Sequence, residues 1–233
     1  AENRFALIVA TSKYQDPDLK TLIAPAQDAE ALSEVLNDSN IGRFEVKMLL
    51  NQPSHMVNEE IEAFFSERKR DDLLLLYFSC HGIKDEEGQL FFATVNTNRR
   101  RLNTTAISSK FISTIMFRSR SRKQVLLLDC DFSGAFARGM VPKADKQIHT
   151  FDYFEGSGRV IITASDSMQY SFEGDKIEGA GTMSLFTRTI VEGLKTGKAD
   201  LDDDGHITHN ELYEYVYDQM VRKAPIQRPG MWV

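Results

Sequence analysis

Two short apolar runs in this chain end abruptly in small and reactive side chains. LLLLYFSCHG, from Leu73 to Gly82, delivers His81 and Gly82; QVLLLDCDFSGAF, from Gln124 to Phe136, delivers Asp129, Cys130 and Asp131. A histidine, a thiol and carboxylates are the side chains of acid–base and nucleophilic work. Both runs have strand length and a branched composition, which is how buried parallel strands look when they present chemistry at their carboxyl ends. A third stretch, DLDDDGHITHNE from Asp200 to Glu211, has the oxygen-rich spacing of a hard-cation loop.

The remaining elements must position these residues. Phe5 to Ala10 reads as a first strand, and Pro25 opens a helix reaching about Leu36, with Ala26, Ala29, Leu32 and Leu36 at helical spacing. Phe44 to Leu50 is a second strand whose alternation places Phe44, Val46 and Met48 on one side. Ser54 is the expected cap of a helix with Val57, Ile61, Phe64 and Phe65 on one face. Leu73 to Ser79 is the third strand, followed by an acidic turn (Lys84 to Gly88) and a short strand, Leu90 to Ala93. Ser108 to Phe117 reads as a helix, Val125 to Leu128 and Val160 to Ala164 as strands, and Met183 to Leu194 and Asn210 to Val221 as amphipathic helices. Long loops fall at Arg138 to Gly158 and Ser165 to Thr182. Strands alternating with helices predict an α/β domain with a mostly parallel sheet and right-handed crossovers.

A chain of 233 residues with 42% hydrophobic content buries one core, so residues 1–233 are expected to form a single domain. No apolar run approaches the ~18–20 residues that span a bilayer, and the N-terminal apolar stretch is too short for a signal peptide. The net charge of −6 argues against a general nucleic-acid binder. The basic runs Arg99 to Arg101 and Arg118 to Lys123 read as solvated loop and helix-end charge. Only two cysteines occur, Cys80 and Cys130. A disulfide between them is open in principle, but a cytoplasmic location with a reduced pair is the expectation.

Ser79-Cys80-His81-Gly82 and Asp129-Cys130-Asp131-Phe132-Ser133-Gly134 together resemble the S-x-H-G and D-x-C-x-S-G strand ends of the caspase–metacaspase superfamily of Cys-His proteases, above all its bacterial effector-associated domains. The resemblance covers nearly the whole chain and matches every fixed place but one. The nucleophile stands two residues before the Ser-Gly pair, and here that position is Asp131. The spacing of His81 and position 131 also fits the caspase arrangement, whose His lies about 50 residues upstream of the Cys. The resemblance implies a caspase-like three-layer α/β sandwich, with about six mostly parallel strands flanked by helices. It also implies, as an expectation, a segment of a longer protein with a fused or associated effector domain.

The resemblance makes His81 the general base. The N–H groups of Gly82 and residue 131 would be the oxyanion donors, since a glycine leaves room for the substrate carbonyl. Taken in isolation, His81 reads as a loop histidine with a local hydrogen bond. A carboxylate is a poor nucleophile toward an amide, so this chain is expected to be an inactive variant of a cysteine peptidase, with Asp131 favouring an ion pair to protonated His81. Cys130 is the alternative nucleophile, but strand alternation turns it to the sheet interior, where cysteines are inert.

Metacaspase-like members cleave after Arg or Lys, and their pocket acids match Asp28 and Asp129, with Ser165 a weaker pocket candidate. Paired carboxylates hold a guanidinium by charge-assisted hydrogen bonds. The plainer readings are a first-turn helix acid for Asp28 and a partnered buried strand-end acid for Asp129. Arg138, Lys143 and Lys146 are then self-processing candidates. The expected partner is a peptide or protein with a basic residue before the cut; neither nucleic acid nor membrane is expected.

No cofactor is required for this chemistry. The loop at 200–211 nevertheless fits the EF-hand pattern, with Asp200, Asp202 and Asp204 at positions 1, 3 and 5, Gly205 at 6 and Glu211 at 12. His206 would contribute only its backbone carbonyl to a Ca2+ ion. The competing reading is an acidic N-capping turn. Two further functions follow from these features: a pseudoprotease that binds peptide or a partner without cutting, and a calcium sensor built on the second half.

Overall fold

A computed structural model of the chain describes residues 2–131, 159–164, 184–223 and 229–233. Its described elements run β1 (Arg4–Ala10), α1 (Ala24–Asn37), β2 (Glu45–Leu50), α2 (Ser54–Phe65), β3 (Leu73–Lys84), β4 (Leu90–Ala93), α3 (Leu102–Thr105), β5 (Ala106–Ser108), α4 (Ser109–Arg118), β6 (Lys123–Asp131), β7 (Arg159–Thr163), α5 (Leu185–Thr196), α6 (His209–Lys223) and β8 (Gly230–Trp232). The main path of the sheet is β2-β1-β3-β6-β7-β8, with β4 and β5 branching from β3. All pairings along that path are parallel except β7 with β8. This is the three-layer α/β arrangement expected from the alternation of strands and helices.

The central strands are apolar on both faces because helices cover both. Leu74, Leu76, Phe78 and Cys80 of β3 join Leu126 and Leu128 of β6 in a core against Val57, Ile61 and Phe65 of α2 and Ile112 and Met116 of α4. The intervening Leu75, Tyr77 and Leu127 face a second core built with Ala29 and Leu32 of α1, Phe186 and Ile190 of α5, and Val216 and Met220 of α6. Period-2 alternation therefore feeds two cores from one strand.

Several local expectations need correction. β3 does not stop at Ser79 but runs through His81 and Gly82 to Lys84, because its last residues pair antiparallel with β4. His81 is therefore a strand residue rather than a loop residue. β2 begins at Glu45 rather than Phe44, and as the edge strand with one neighbour it leaves Met48 42% exposed. Ser54 is the first helical residue of α2 and makes no cap bond there; Pro53 precedes it in extended conformation. Instead, Asn96 bridges Ser54, accepting from its N–H at 2.8 Å and donating to its Oγ at 3.2 Å.

Candidate active site

The carboxyl ends of β3 and β6 lie side by side, with Cys80 in register with Cys130 and His81 in register with Asp131. The two sequence motifs thus meet at adjacent strand ends, as their resemblance implied. The side chain of Asp131 lies outside what the structure describes, as do Ser165 and the loop residues Arg138, Lys143 and Lys146. Gly82 follows His81 within β3 and is the register partner of Phe92 on β4.

His81 is 2% exposed and held from three directions. Its Nε2 lies 2.8 Å from the carbonyl oxygen of Lys20. Its backbone N–H donates to the Tyr14 hydroxyl at 3.0 Å, and the Tyr14 ring sits 4.9 Å from the imidazole. Tyr14 is fixed in turn by donating to the Thr11 carbonyl at 2.8 Å. A carbonyl can only accept, so Nε2 is the donor in this contact, which leaves Nδ1 as the other ring nitrogen. That nitrogen is buried and meets no hydrogen-bond partner among the described residues. The β1–α1 segment that supplies Tyr14 and Lys20 carried no chemical signature in the sequence.

Asp28 and Asp129 converge from different elements. Asp28 lies on the buried face of α1 with Ala29 and Leu32, and is itself fully buried. Its Oδ1 accepts the backbone N–H of Ser184 at 2.9 Å, while Oδ2 has no partner among the described residues. The Ser184 hydroxyl donates to Asp129 Oδ2, which also accepts from Thr187 Oγ1 at 2.7 Å. Ser184 is the N-cap of α5, its Oγ accepting the Thr187 N–H at 3.2 Å. Since Thr187 donates its hydroxyl proton to Asp129, the Tyr77 hydroxyl, 2.8 Å away, donates to Thr187.

Burial, reinforced by the charge of Asp129, pushes the Asp28 carboxyl up to about 7, against the lowering effect of the Ser184 hydrogen bonds and the Arg188 charge. Burial, with the charges of Asp129 and Asp28, also drives the Tyr77 phenol well above its ordinary range, so it stays a donor. Two carboxylates braced by one helix N-terminus form an electronegative site. Ser184 and Thr187 were missed because both fell inside the helix read from Met183 to Leu194, where a hydroxyl side chain carries no chemical signature; the helix instead begins at Leu185, with Ser184 as its cap.

Cys130 is half-buried and packs against the α2–α4 core, on the face opposite Asp129. Its sulfur lies 3.9 Å from that of Cys80.

The acidic loop forms a separate cluster between α5 and α6. Carboxylate oxygens of Asp200, Asp202, Asp204 and Glu211 all lie within 4.8 Å of one another. Left-handed backbone at Asp203 (φ 58°) and Gly205 (φ 84°) turns the loop around them. Glu211 Oε2 accepts the Leu201 N–H at 2.7 Å, and Asp200 Oδ2 accepts that of Gly205 at 2.8 Å. Desolvation, with Asp204, Glu211 and Asp200 crowding it, raises the Asp202 carboxyl above its ordinary range. The Thr208 N–H, with that of Leu201, holds Glu211 below its own. Converging hard oxygens that repel one another suit a hard divalent cation. His206 donates its backbone N–H to Asp204 at 2.9 Å.

A family model described as the caspase domain matches residues 3–232. The chain therefore belongs to the caspase-domain family. Among solved structures it is similar to protein GSU0716 from Geobacter sulfurreducens, with a TM-score of 0.67 and 14% identity over 99% of this chain and 92% of that one. It is also similar to pro-sf-caspase-1, with a TM-score of 0.67 and 13% identity over 99% and 91% of the two chains. At such identities these likenesses establish the fold. A search of curated proteins finds no match.

Proposed function

We propose that this chain is a cysteine-endopeptidase scaffold that accepts Arg or Lys before the scissile bond and is silenced by Asp131 at the nucleophile position. The observation that carries the reading is the pairing of Asp28 and Asp129 around Ser184, close to the strand ends that bear His81 and position 131. A guanidinium offers several N–H donors to two carboxylates, and its charge would return Asp28 to its ionised form. An acidic side chain in the same place would be repelled. His81, its Nε2 proton committed to Lys20, would use Nδ1 as general base, and the N–H groups of Gly82 and residue 131 would receive the oxyanion. Asp131 supplies a carboxylate where the chemistry needs a thiolate.

The deciding experiment is hydrolysis of fluorogenic Arg, Lys and Asp substrates by this chain beside its Asp131→Cys form. Cleavage by the Cys form alone, after Arg or Lys, is the expected outcome. Cleavage after Asp would overturn the pocket assignment, and equal cleavage by both forms would overturn the role of position 131.

A second reading concerns the unaltered chain. The acid pair does not depend on residue 131, so a basic peptide can still be bound without being cut. The chain would then act as a peptide- or partner-binding module. The acidic loop adds a Ca2+ site with Asp200, Asp202, Asp204 and Glu211 as side-chain ligands and the His206 carbonyl as a further oxygen. When bound, the ion would supply structural ties between α5 and α6 rather than reaction chemistry.

A further inference from the structure

Cys80 and Cys130 take no part in the chemistry described so far, yet the sheet sets them directly opposite each other. They are register partners on β3 and β6, share the α2–α4 face, and hold their sulfurs 3.9 Å apart without a disulfide. They are also the only cysteines in the chain. Neighbouring strands run ~4.8 Å apart, within the ~4.4–6.8 Å Cα spacing that a disulfide bridges. Side-chain rotation and a small approach of the strand ends bring the sulfurs to the ~2.05 Å of a bond.

We propose that Cys80 and Cys130 form an oxidisable dithiol, which peroxide converts to an intramolecular disulfide tying β3 to β6 one residue ahead of His81 and position 131. Cys130 reacts first, because it is half-buried while Cys80 is 1% exposed. Its thiolate attacks one peroxide oxygen, the O–O bond breaks, and the departing hydroxide takes a proton to leave as water, giving the sulfenic acid. The Cys80 sulfur then attacks the Cys130 sulfur; the S–S bond forms, the S–O bond breaks, and the hydroxyl leaves as water with the Cys80 proton. The two thiols lose two electrons and the peroxide is reduced to water. The buried position of Cys80 makes it a resolving partner inside the sheet, since no external thiol can reach the site as readily as the neighbour already in register.

The test is hydrogen peroxide treatment of the native chain, followed by alkylation under denaturing conditions, intact mass and peptide mapping. The expected product is a monomer lighter by two hydrogens, with both thiols lost together and a cross-linked peptide joining the β3 and β6 segments. A reductant restores both thiols. In Cys80→Ser, Cys130 instead accumulates as its oxygen acids. The proposal is overturned if Cys130 in the unaltered chain oxidises to an acid while Cys80 still alkylates. It is equally overturned if the disulfide appears only between chains, or forms as fast in denaturant as in the folded protein.

Discussion

Asp28 and Asp129, one on a helix and one on a strand, share a single brace: Ser184 gives its N–H to the first and its O–H to the second. The acids are thus held against their mutual repulsion by the first turn of α5, and the strain of that arrangement is concentrated on Asp28.

Asp28 is pushed up to about 7 from an ordinary value of 3.8. The folded state therefore binds a proton more tightly than the unfolded chain, so this group's contribution is most favourable below pH 4 and is lost as the pH rises through 7. Asp28→Asn removes the penalty. We expect it to stabilise the protein by on the order of 2 kcal/mol at pH 8 and to flatten the stability profile between pH 4 and 7. Chemical denaturation across that range measures both effects, and an Asn variant that is less stable at pH 8 would contradict the account.

In the proposed pocket the same titration would govern recognition. A cationic side chain favours ionised Asp28, so affinity for an Arg-terminated peptide is expected to rise as the pH passes through about 7. Calorimetry at pH 6 and pH 8 tests this; a pH-independent affinity that survives Asp28→Asn would place the peptide elsewhere.

Tyr14 holds His81 through its backbone N–H and its ring. In the Asp131→Cys background, Tyr14→Phe removes that acceptor while keeping the ring. A fall in kcat of about tenfold with little change in KM is expected, in line with loss of one positioning hydrogen bond. An unchanged kcat would assign His81's placement to Lys20 alone.

Gly193 on α5 leaves no room for a side chain, since an added Cβ would stand 2.7 Å from the Tyr215 ring of α6 and 3.1 Å from Ala199 Cβ. Gly193→Ala is expected to destabilise the fold by about 1–3 kcal/mol through overpacking. If the α5–α6 contact is the one the acidic loop ties, saturating calcium will recover part of that loss.

Calcium itself is tested by melting the unaltered chain with Ca2+ and with chelator. A concentration-dependent rise in Tm is expected from mass action, and Glu211→Gln is expected to abolish most of it. Identical melting curves in both conditions would leave the loop as a capping turn.

The fold was largely legible because its strands are short, branched and bounded. The meeting of His81 with position 131 was legible too, because each motif closes such a strand. What escaped the sequence are the residues that act through ordinary types. Lys20 offers only a carbonyl, Tyr14 sits in a loop without periodicity, and Ser184 and Thr187 look like any helix start. The extension of β3 past His81 was hidden because His-Gly reads as the end of an apolar run, whereas β4 supplies the missing pairing from outside. Alternation placed Phe44, Val46 and Met48 on one side but could not say that Met48 stays exposed, because it cannot tell an edge strand from a central one.

The place of β3 at the middle of the sheet has a kinetic consequence. Its two parallel neighbours, β1 and β6, come from distant parts of the chain, so neither pairing can form without closing a long crossover. Folding must await both closures, and a protein of this topology is expected to fold slowly. Once closed, the segment from Leu74 to Phe78 is paired on both sides, and its amides will be among the last to exchange with solvent. The strand that presents His81 is thus expected to be among the last to open.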